Sequence, residues 1–136
     1  MKIVMNEMDA DLFLKLYKSV GWEAPCREQV EIALRNTMAS FVAMDGEIPR
    51  GMLRLLGDGG MSFYIKDFAV VPKAQGRGVG KMLLQAAEKY IKETIGNWAV
   101  SLELISTIKA QKFYEKMGFE TRPCEWDGPG MFKMLR

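Results

Sequence analysis

The chain has 136 residues, of which 49% are hydrophobic and 26% are charged, and its formal net charge is +2 at pH 7. This length suits one domain, and the composition is that of an ordinary globular protein, which excludes disordered, collagen-like and coiled-coil classes. The absence of histidine excludes Ser-His-Asp and Cys-His nucleophile systems, and the small net charge argues against a nucleic-acid partner.

The first third of the sequence predicts one short strand followed by two helices. A β-prone run at Lys2–Met5 comes first. Asp9 or Asp11 then suits the cap of an amphipathic helix, which Gly21 ends. A second helix is expected from residue 25 to about residue 38, because proline at its start suits a first helical turn.

The middle third changes to the alternating pattern of strands. Strands are predicted at residues 40–44 and 51–56, joined by a hairpin at Asp45-Gly46. A longer strand follows at 61–71, and Pro72 ends it because proline has no N–H to donate to a ladder.

The last third predicts a helix over 78–94, a strand over 99–105 and a short helix that begins at Thr107. A final strand or hairpin is expected at 119–121 and 131–135. This order of elements predicts a mixed α/β (α+β) fold, a sheet with helices on both faces, rather than a regular βαβα alternation.

Nothing in the sequence predicts export, membrane insertion or a metal site. No apolar run reaches the roughly 18 residues of a membrane helix. The start, MKIVMNEMDADLF, carries acids where a secretory signal would place its apolar stretch. We therefore expect a cytoplasmic protein with no membrane partner, in which Cys26 and Cys124 are free thiols rather than a disulfide.

The most informative segment lies between the long central strand and the helix that follows it. Glycine stands at every second position, at Gly76, Gly78 and Gly80, where successive N–H groups can turn toward one point. The following helix adds its positive N-terminal end. Basic side chains surround the turn: Lys73, Arg77 and Lys81. The segment therefore predicts a pyrophosphate site.

Two other phosphate loops fit these residues poorly. A Walker A loop needs Ser or Thr where Met82 stands, and a Rossmann loop needs a third glycine where Lys81 stands. A tight glycine turn with solvated basic side chains stays open as the alternative, although alternate glycines cost stability unless something requires them.

Two motifs together resemble the GNAT superfamily of N-acetyltransferases. The first, Gln75-x-x-Gly78-x-Gly80, is similar to the acetyl-CoA loop of that family, and the second is the segment FYEKMGF at 113–119. One predicted helix and one predicted strand separate them, as in the family. The resemblance implies a single domain over residues 1–136, with a mostly antiparallel sheet that is flanked by helices and splayed between its fourth and fifth strands.

The resemblance also implies acetyl-CoA as cosubstrate, bound where the 61–71 and 99–105 strands separate. The pantetheine arm would pair with the backbone of three strand residues: Phe68, Ala69 and Val70. The pyrophosphate would accept bonds from backbone N–H groups of one continuous segment: Gln75, Gly76, Arg77, Gly78, Val79, Gly80 and Lys81. Thr107 stands where many members carry an asparagine that contacts the cofactor, so this contact is weakened.

The resemblance assigns catalysis mainly to Tyr114, whose hydroxyl would donate a hydrogen bond or a proton to the departing CoA sulfur. The alternative is a tyrosine whose ring only packs in its helix. Asp67 is the candidate general base, acting through a water, and Glu103 is a weaker candidate. For both carboxylates, exposure or an ion pair with lysine or arginine is the alternative.

The sequence thus indicates an N-acetyltransferase that moves the acetyl group from acetyl-CoA to a primary amine of a small molecule, by direct attack in a ternary complex. An acyl-CoA-binding regulator on the same fold, a protein lysine or N-terminal acetyltransferase, and an interaction module without cofactor stay open. By the resemblance, Trp22, Cys26 and Trp126 would lie near the acceptor, or the tryptophans would only close the core. Members of the family often form homodimers, and the sequence leaves the oligomeric state open.

Overall fold

The computed structural model describes residues 1–136. Its contacts divide the chain into two compact units, Met1–Glu103 and Leu104–Arg136. The first unit holds the whole sheet and the three long helices. No helix in the structure has the length and hydrophobicity that a membrane span requires.

The first unit is built on one five-stranded sheet whose strands follow one another in chain order. The strands are β1 (Lys2–Met5), β2 (Ala39–Asp45), β3 (Ile48–Gly57), β4 (Ser62–Val70) and β5 (Ser101–Glu103). Strands β1 to β4 pair antiparallel, and β5 pairs parallel to β4. The predicted mixed, mostly antiparallel sheet is confirmed.

Three helices cover this sheet: α1 (Ala10–Ser19), α2 (Arg27–Arg35) and α3 (Val79–Ile95). Asp9 is the residue that caps α1, because its carboxylate accepts a bond of 2.9 Å from the N–H of Leu12. The second helix is shorter than the sequence predicts. It ends at Arg35 because the N–H groups of Asn36 and Thr37 bond to carbonyls only three residues back, which tightens the last turn.

The helices lie on both faces of the sheet, as predicted. Val42 of β2 belongs to a buried cluster with Phe13 and Leu16 of α1. The neighbouring Phe41 contacts Tyr90 of α3, with ring centroids 6.2 Å apart. Because successive strand residues point to opposite faces, α1 and α3 must cover opposite sides of the sheet.

A β-bulge interrupts the pairing of β3 and β4. Arg54 pairs with Lys66 and Met52 pairs with Ala69, so two residues of β4 face the single residue Leu53. The extra residue reverses the alternation along β4. As a result Ala69 packs in the cluster on the α1 side, beside its partner Met52.

The second unit contains a short helix and irregular backbone. A 3₁₀ turn at Ile108–Ala110 leads into α4 (Gln111–Lys116), and Gly118 follows it with φ +95°. The strand or hairpin predicted at 119–121 and 131–135 is wrong, because the structure has no strand after Glu103. Pro123 and Pro129 lack the N–H that a ladder needs, and the Cys124 N–H instead closes a tight turn by bonding to Asp127 O.

Candidate active site

Strands β4 and β5 part soon after they meet. Only three residue pairs join them, between Ser62–Tyr64 of β4 and Ser101–Glu103 of β5. Beyond Tyr64, β4 runs on to Val70 and pairs with β3 alone. The predicted strand over 99–105 is therefore only three residues long, and the second half of β4 forms an edge of the sheet on this side.

The turn after β4 is fixed to the strand by hydrogen bonds. The Val71 N–H donates to Arg50 O at 2.9 Å, which carries the β3–β4 contact one residue further. A 3₁₀ turn at Pro72–Ala74 follows, and Ala74 is buried. The Gln75 side chain then reaches back and donates from Nε2 to Val70 O at 2.9 Å. The turn therefore has a defined position at the end of the open edge.

Two glycines give this turn its shape. Gly76 has φ +76° and Gly78 has φ +81°, in the left-handed region that favours glycine. A Cβ atom at either position would meet nothing within 4 Å, so the backbone conformation and not crowding requires glycine. Gly80 differs from the expectation of three equivalent glycines, because it lies inside the first turn of α3 without a positive φ.

The N-terminus of α3 is the electropositive end of this turn. Gly78 is the N-cap and supplies no side-chain bond, and the first helical bond joins the Met82 N–H to Gly78 O at 3.0 Å. The N–H groups of Val79, Gly80 and Lys81 therefore have no acceptor within the helix. No acidic residue stands in the first turn of α3, so nothing there opposes an anion.

Basic side chains lie around the same turn. Lys73, Arg77 and Lys81 are all exposed. Together with the helix end and the turned N–H groups, they make the segment from Gln75 to Lys81 suited to a doubly charged phosphate group.

Asp67 lies at the β4 bulge and is held in an ion pair. Its φ is +52°, and its Oδ2 accepts a bond of 2.8 Å from Arg54 Nε on β3. Both side chains are only 13% exposed. Arg54 also donates to Thr37 Oγ1 at 3.2 Å. The ion pair with arginine, which the sequence left open as an alternative for Asp67, is thus present. The role of Asp67 as a base stays a prediction.

Sequence reasoning missed Arg54 as a partner of Asp67. A signal for it exists, because each residue is a charge within an otherwise mainly apolar strand, in MLRLL and IKDFAV. A charge in such a strand is rarely buried without an opposite charge near it.

Aromatic side chains of α1 and the segment after it adjoin this pair. The Tyr17 ring stacks on Phe13 at 5.2 Å between centroids and meets Trp22 edge-on at 5.0 Å. Burial raises the pKa of Tyr17, the charge of Asp67 raises it further, and Arg54 opposes them. Tyr17 and Trp22 both pack against the buried cluster. Trp22 therefore contributes to the core, which is one of the two roles predicted for it.

Glu103 is the last residue of β5 and pairs in register with Tyr64. Burial raises the pKa of Tyr64, and the nearby charge of Glu103 adds to this. Glu103 thus lies where β4 and β5 part, and its role as a base stays a prediction.

In the second unit, Tyr114 is held by its own helix end. Its ring meets Phe113 and Phe119 edge-on, with centroids 5.3 and 5.7 Å apart, and its carbonyl accepts the Phe119 N–H at 3.1 Å. Burial raises the pKa of Tyr114 to about 12, so its hydroxyl stays protonated at neutral pH. This state is the one that a proton donor requires.

Four further residues were singled out in the sequence: Thr107, Trp126, Cys26 and Cys124. Thr107 precedes the 3₁₀ turn at Ile108–Ala110, but its side chain makes no capping bond. Trp126 is 69% exposed. Cys26 is exposed, Cys124 is half-buried, and both are free thiols, as predicted.

Comparisons with known proteins agree on one family. The acetyltransferase (GNAT) domain model matches residues 15–134. A crystal structure of a probable acetyltransferase from meticillin-resistant Staphylococcus aureus is 31% identical, with a TM-score of 0.86 and 98% of each chain covered. A GNAT-family acetyltransferase from Streptococcus pneumoniae is 33% identical, with a TM-score of 0.79 and 99% of each chain covered.

A curated relative, the uncharacterised N-acetyltransferase ycf52 of Gracilaria tenuistipitata, is 30% identical over 123 residues. The match covers 87% of this chain and 64% of the length of that relative. The family model spans most of the chain and includes both sequence motifs. The chain therefore belongs to the GNAT family of acetyltransferases.

Proposed function

We propose that this chain is an acetyl-CoA-dependent N-acetyltransferase whose acceptor is a primary amine of a small molecule. The observation that carries the proposal is the arrangement of β4: its edge opens beyond Tyr64 and leads directly into the turn with two positive-φ glycines at the N-terminus of α3. An open strand edge suits an amide-bearing chain, and the turn suits the phosphates at the end of that chain. Acetyl-CoA has both groups in this order.

In this proposal the pantetheine amides pair with the backbone of Phe68, Ala69 and Val70. The pyrophosphate takes N–H bonds from the segment that starts at Gln75 and ends at Lys81. Thr107 is proposed to hold the cofactor through its hydroxyl, in place of the asparagine that is common in the family. We further propose that the two compact units act together as one domain, which the match of the family model across both units supports.

The proposed reaction is direct transfer. The amine nitrogen attacks the thioester carbonyl carbon, the carbon–sulfur bond breaks, the nitrogen loses a proton and the sulfur gains one. We assign to Tyr114 the proton that the sulfur gains, because Tyr114 lies in the FYEKMGF motif and its hydroxyl is protonated at neutral pH. We assign the removal of the amine proton to Asp67 acting through a water, since Arg54 holds its Oδ2 and leaves the second carboxylate oxygen.

Coenzyme A binding is the first test of this function. Excess coenzyme A should raise the unfolding temperature of the protein by mass action. NADH and ATP at equal concentration serve as controls, because both carry a pyrophosphate but neither has a pantetheine arm. The absence of a shift with coenzyme A, or an equal shift with ATP, would contradict the proposal.

Release of free thiol from acetyl-CoA then separates an enzyme from a regulator. A panel of small primary amines is compared with lysine-containing peptides and with peptides bearing a free N-terminus. Saturable turnover with a small amine supports the proposal. Turnover with peptides alone favours a protein acetyltransferase, and binding without any turnover favours an acyl-CoA-binding regulator.

A further inference from the structure

The backbone at the β4 bulge has a conformation that needs support. Asp67 has φ +52°, and Asn6 is the other non-glycine residue with positive φ in this chain. Asp67 is the first of the two β4 residues that face the single β3 residue Leu53. At this position, β-bulges of the G1 type carry glycine. An aspartate there is strained unless its surroundings hold it.

A chain of hydrogen bonds runs from this bulge to the end of α2. Arg54 Nε donates to Asp67 Oδ2 at 2.8 Å, and Arg54 also donates to Thr37 Oγ1 at 3.2 Å. Thr37 Oγ1 in turn donates to Ala33 O in the last turn of α2, at 2.8 Å. Because Arg54 and Asp67 are only 13% exposed, their pairing is largely screened from water.

The bulge also stands at a defined place along β4. It follows Ser62–Tyr64, the part that pairs with β5, and it consists of Asp67 and Phe68, directly before Ala69 and Val70. Since the extra residue reverses the alternation, it decides which way the backbone groups of this second part are turned. If the bulge moved by one residue along β4, the backbone groups of the open edge would point in the opposite direction.

We propose that Arg54 and Thr37 are positioning residues, which hold Asp67 in its left-handed conformation and so present the open edge of β4 to the cosubstrate. The inference rests on the proposed function, because it takes coenzyme A as the molecule that uses this edge. It assigns Asp67 a backbone role that is separate from any role as a base. Arg54 and Thr37 touch neither reactant in this account.

Two replacements of Asp67 separate the effect of backbone strain from the effect of the carboxylate charge. Asp67→Ala removes the carboxylate and keeps the strain of a Cβ at positive φ, whereas Asp67→Gly removes the carboxylate and the strain together. We expect Asp67→Ala and Arg54→Met to weaken coenzyme A binding by about tenfold or more, and Asp67→Gly to stay within about threefold of the wild type, by calorimetric titration. Equal weakening by Asp67→Ala and Asp67→Gly, or wild-type affinity in Asp67→Ala, would overturn the proposal.

A double-mutant cycle gives a second test that needs no ligand. Arg54→Met should lower the urea midpoint clearly in the wild-type background and little in the Asp67→Gly background, where no strained residue is left to hold. Equal losses in both backgrounds would overturn the positioning role. If the wild type itself fails to bind coenzyme A, the proposed function fails, and this cycle still decides whether Arg54 supports the bulge.

Discussion

Gly78 is one of the two positive-φ glycines that shape the proposed phosphate-binding turn. Its φ of +81° costs an alanine about 1–2 kcal/mol, although a Cβ would have open space. We expect Gly78→Ala to shift the turn toward negative φ, disperse the N–H groups before α3, and weaken coenzyme A binding by about tenfold or more. Calorimetric titration measures this effect.

Gly21 provides the matched control for this substitution. It has φ +82°, nothing within 4 Å of a built Cβ, and a position after α1, outside the turn. Gly21→Ala should therefore cost similar stability and leave coenzyme A binding unchanged. Equal losses of affinity in both variants would show that general destabilisation, and not the turn, is responsible.

Tyr114→Phe tests the proposed proton donor. The variant keeps the ring contacts with Phe113 and Phe119 and loses only the hydroxyl. We expect coenzyme A binding to be kept and kcat to fall by roughly ten- to a thousandfold, as for the loss of one acid catalyst. Turnover is measured by thiol release, and an unchanged kcat would remove Tyr114 from the mechanism.

The raised pKa of Tyr114 also predicts how stability depends on alkaline pH. Burial disfavours the phenolate, so the contribution is complete below the unfolded pKa of 10 and is lost as the pH rises toward the folded pKa of about 12. A shift of two units corresponds to about 2–3 kcal/mol. Between pH 10 and 12, the free energy of unfolding in urea should fall by about this amount more for the wild type than for Tyr114→Phe. An equal fall in both proteins would contradict the assignment.

At the scale of elements, Gly51 lies on β3 at a point where β4 and α3 leave no room for a side chain. A Cβ there would lie 2.9 Å from Ala69 O, 3.1 Å from Leu83 Cδ1 and 3.3 Å from Val70 Cγ2. Gly51→Ala should lower the free energy of unfolding by about 1–3 kcal/mol, because the end of β4 or α3 must move. Urea titration checks this.

The control for Gly51 is Gly60, in the turn between β3 and β4. A Cβ at Gly60 meets nothing within 4 Å and its φ is not positive. Gly60→Ala should therefore be neutral or slightly stabilising, since it reduces the freedom of the unfolded chain. A loss at Gly60 equal to that at Gly51 would contradict the close-packing explanation.

The elements themselves were largely predictable, because strong local signals formed them. Asp9 before an apolar periodic run and Asp45-Gly46 between two strands both act within a few residues. The β4 bulge was not predictable in this way. The residues around Asp67 read as ordinary alternation, and the bulge depends on Arg54 and Thr37, which come from β3 and from the segment after α2.

The strand or hairpin predicted at 119–121 and 131–135 was wrong for a different reason. Apolar residues at 131–135 suggested a strand, yet Met131, Phe132 and Leu135 are more than 80% exposed. A strand needs a partner as well as a pattern, and β-propensity alone does not supply one. The candidate phosphate turn was predictable because glycine spacing and a following helix are local features, whereas the partner of Asp67 was not.

At the scale of the whole molecule, positive charge is concentrated where the phosphates are proposed to bind. Residues 66–92 contain six lysines and arginines and two acids, so this stretch carries +4 while the chain carries +2. The remainder is therefore net acidic. Such a distribution favours the approach of a polyanion to one region of the surface, more strongly at low salt.

The central claim is that the backbone from Phe68 to Lys81 binds coenzyme A. Amide chemical shifts of ¹⁵N-labelled protein, followed during titration with coenzyme A, test it most directly. We predict saturable shifts at Gly76, Gly78 and Gly80 and along Phe68–Val70, with little change at Gly21 and Gly46. Binding that leaves the amides of the turn and the β4 edge unmoved, or no binding at all, would contradict it.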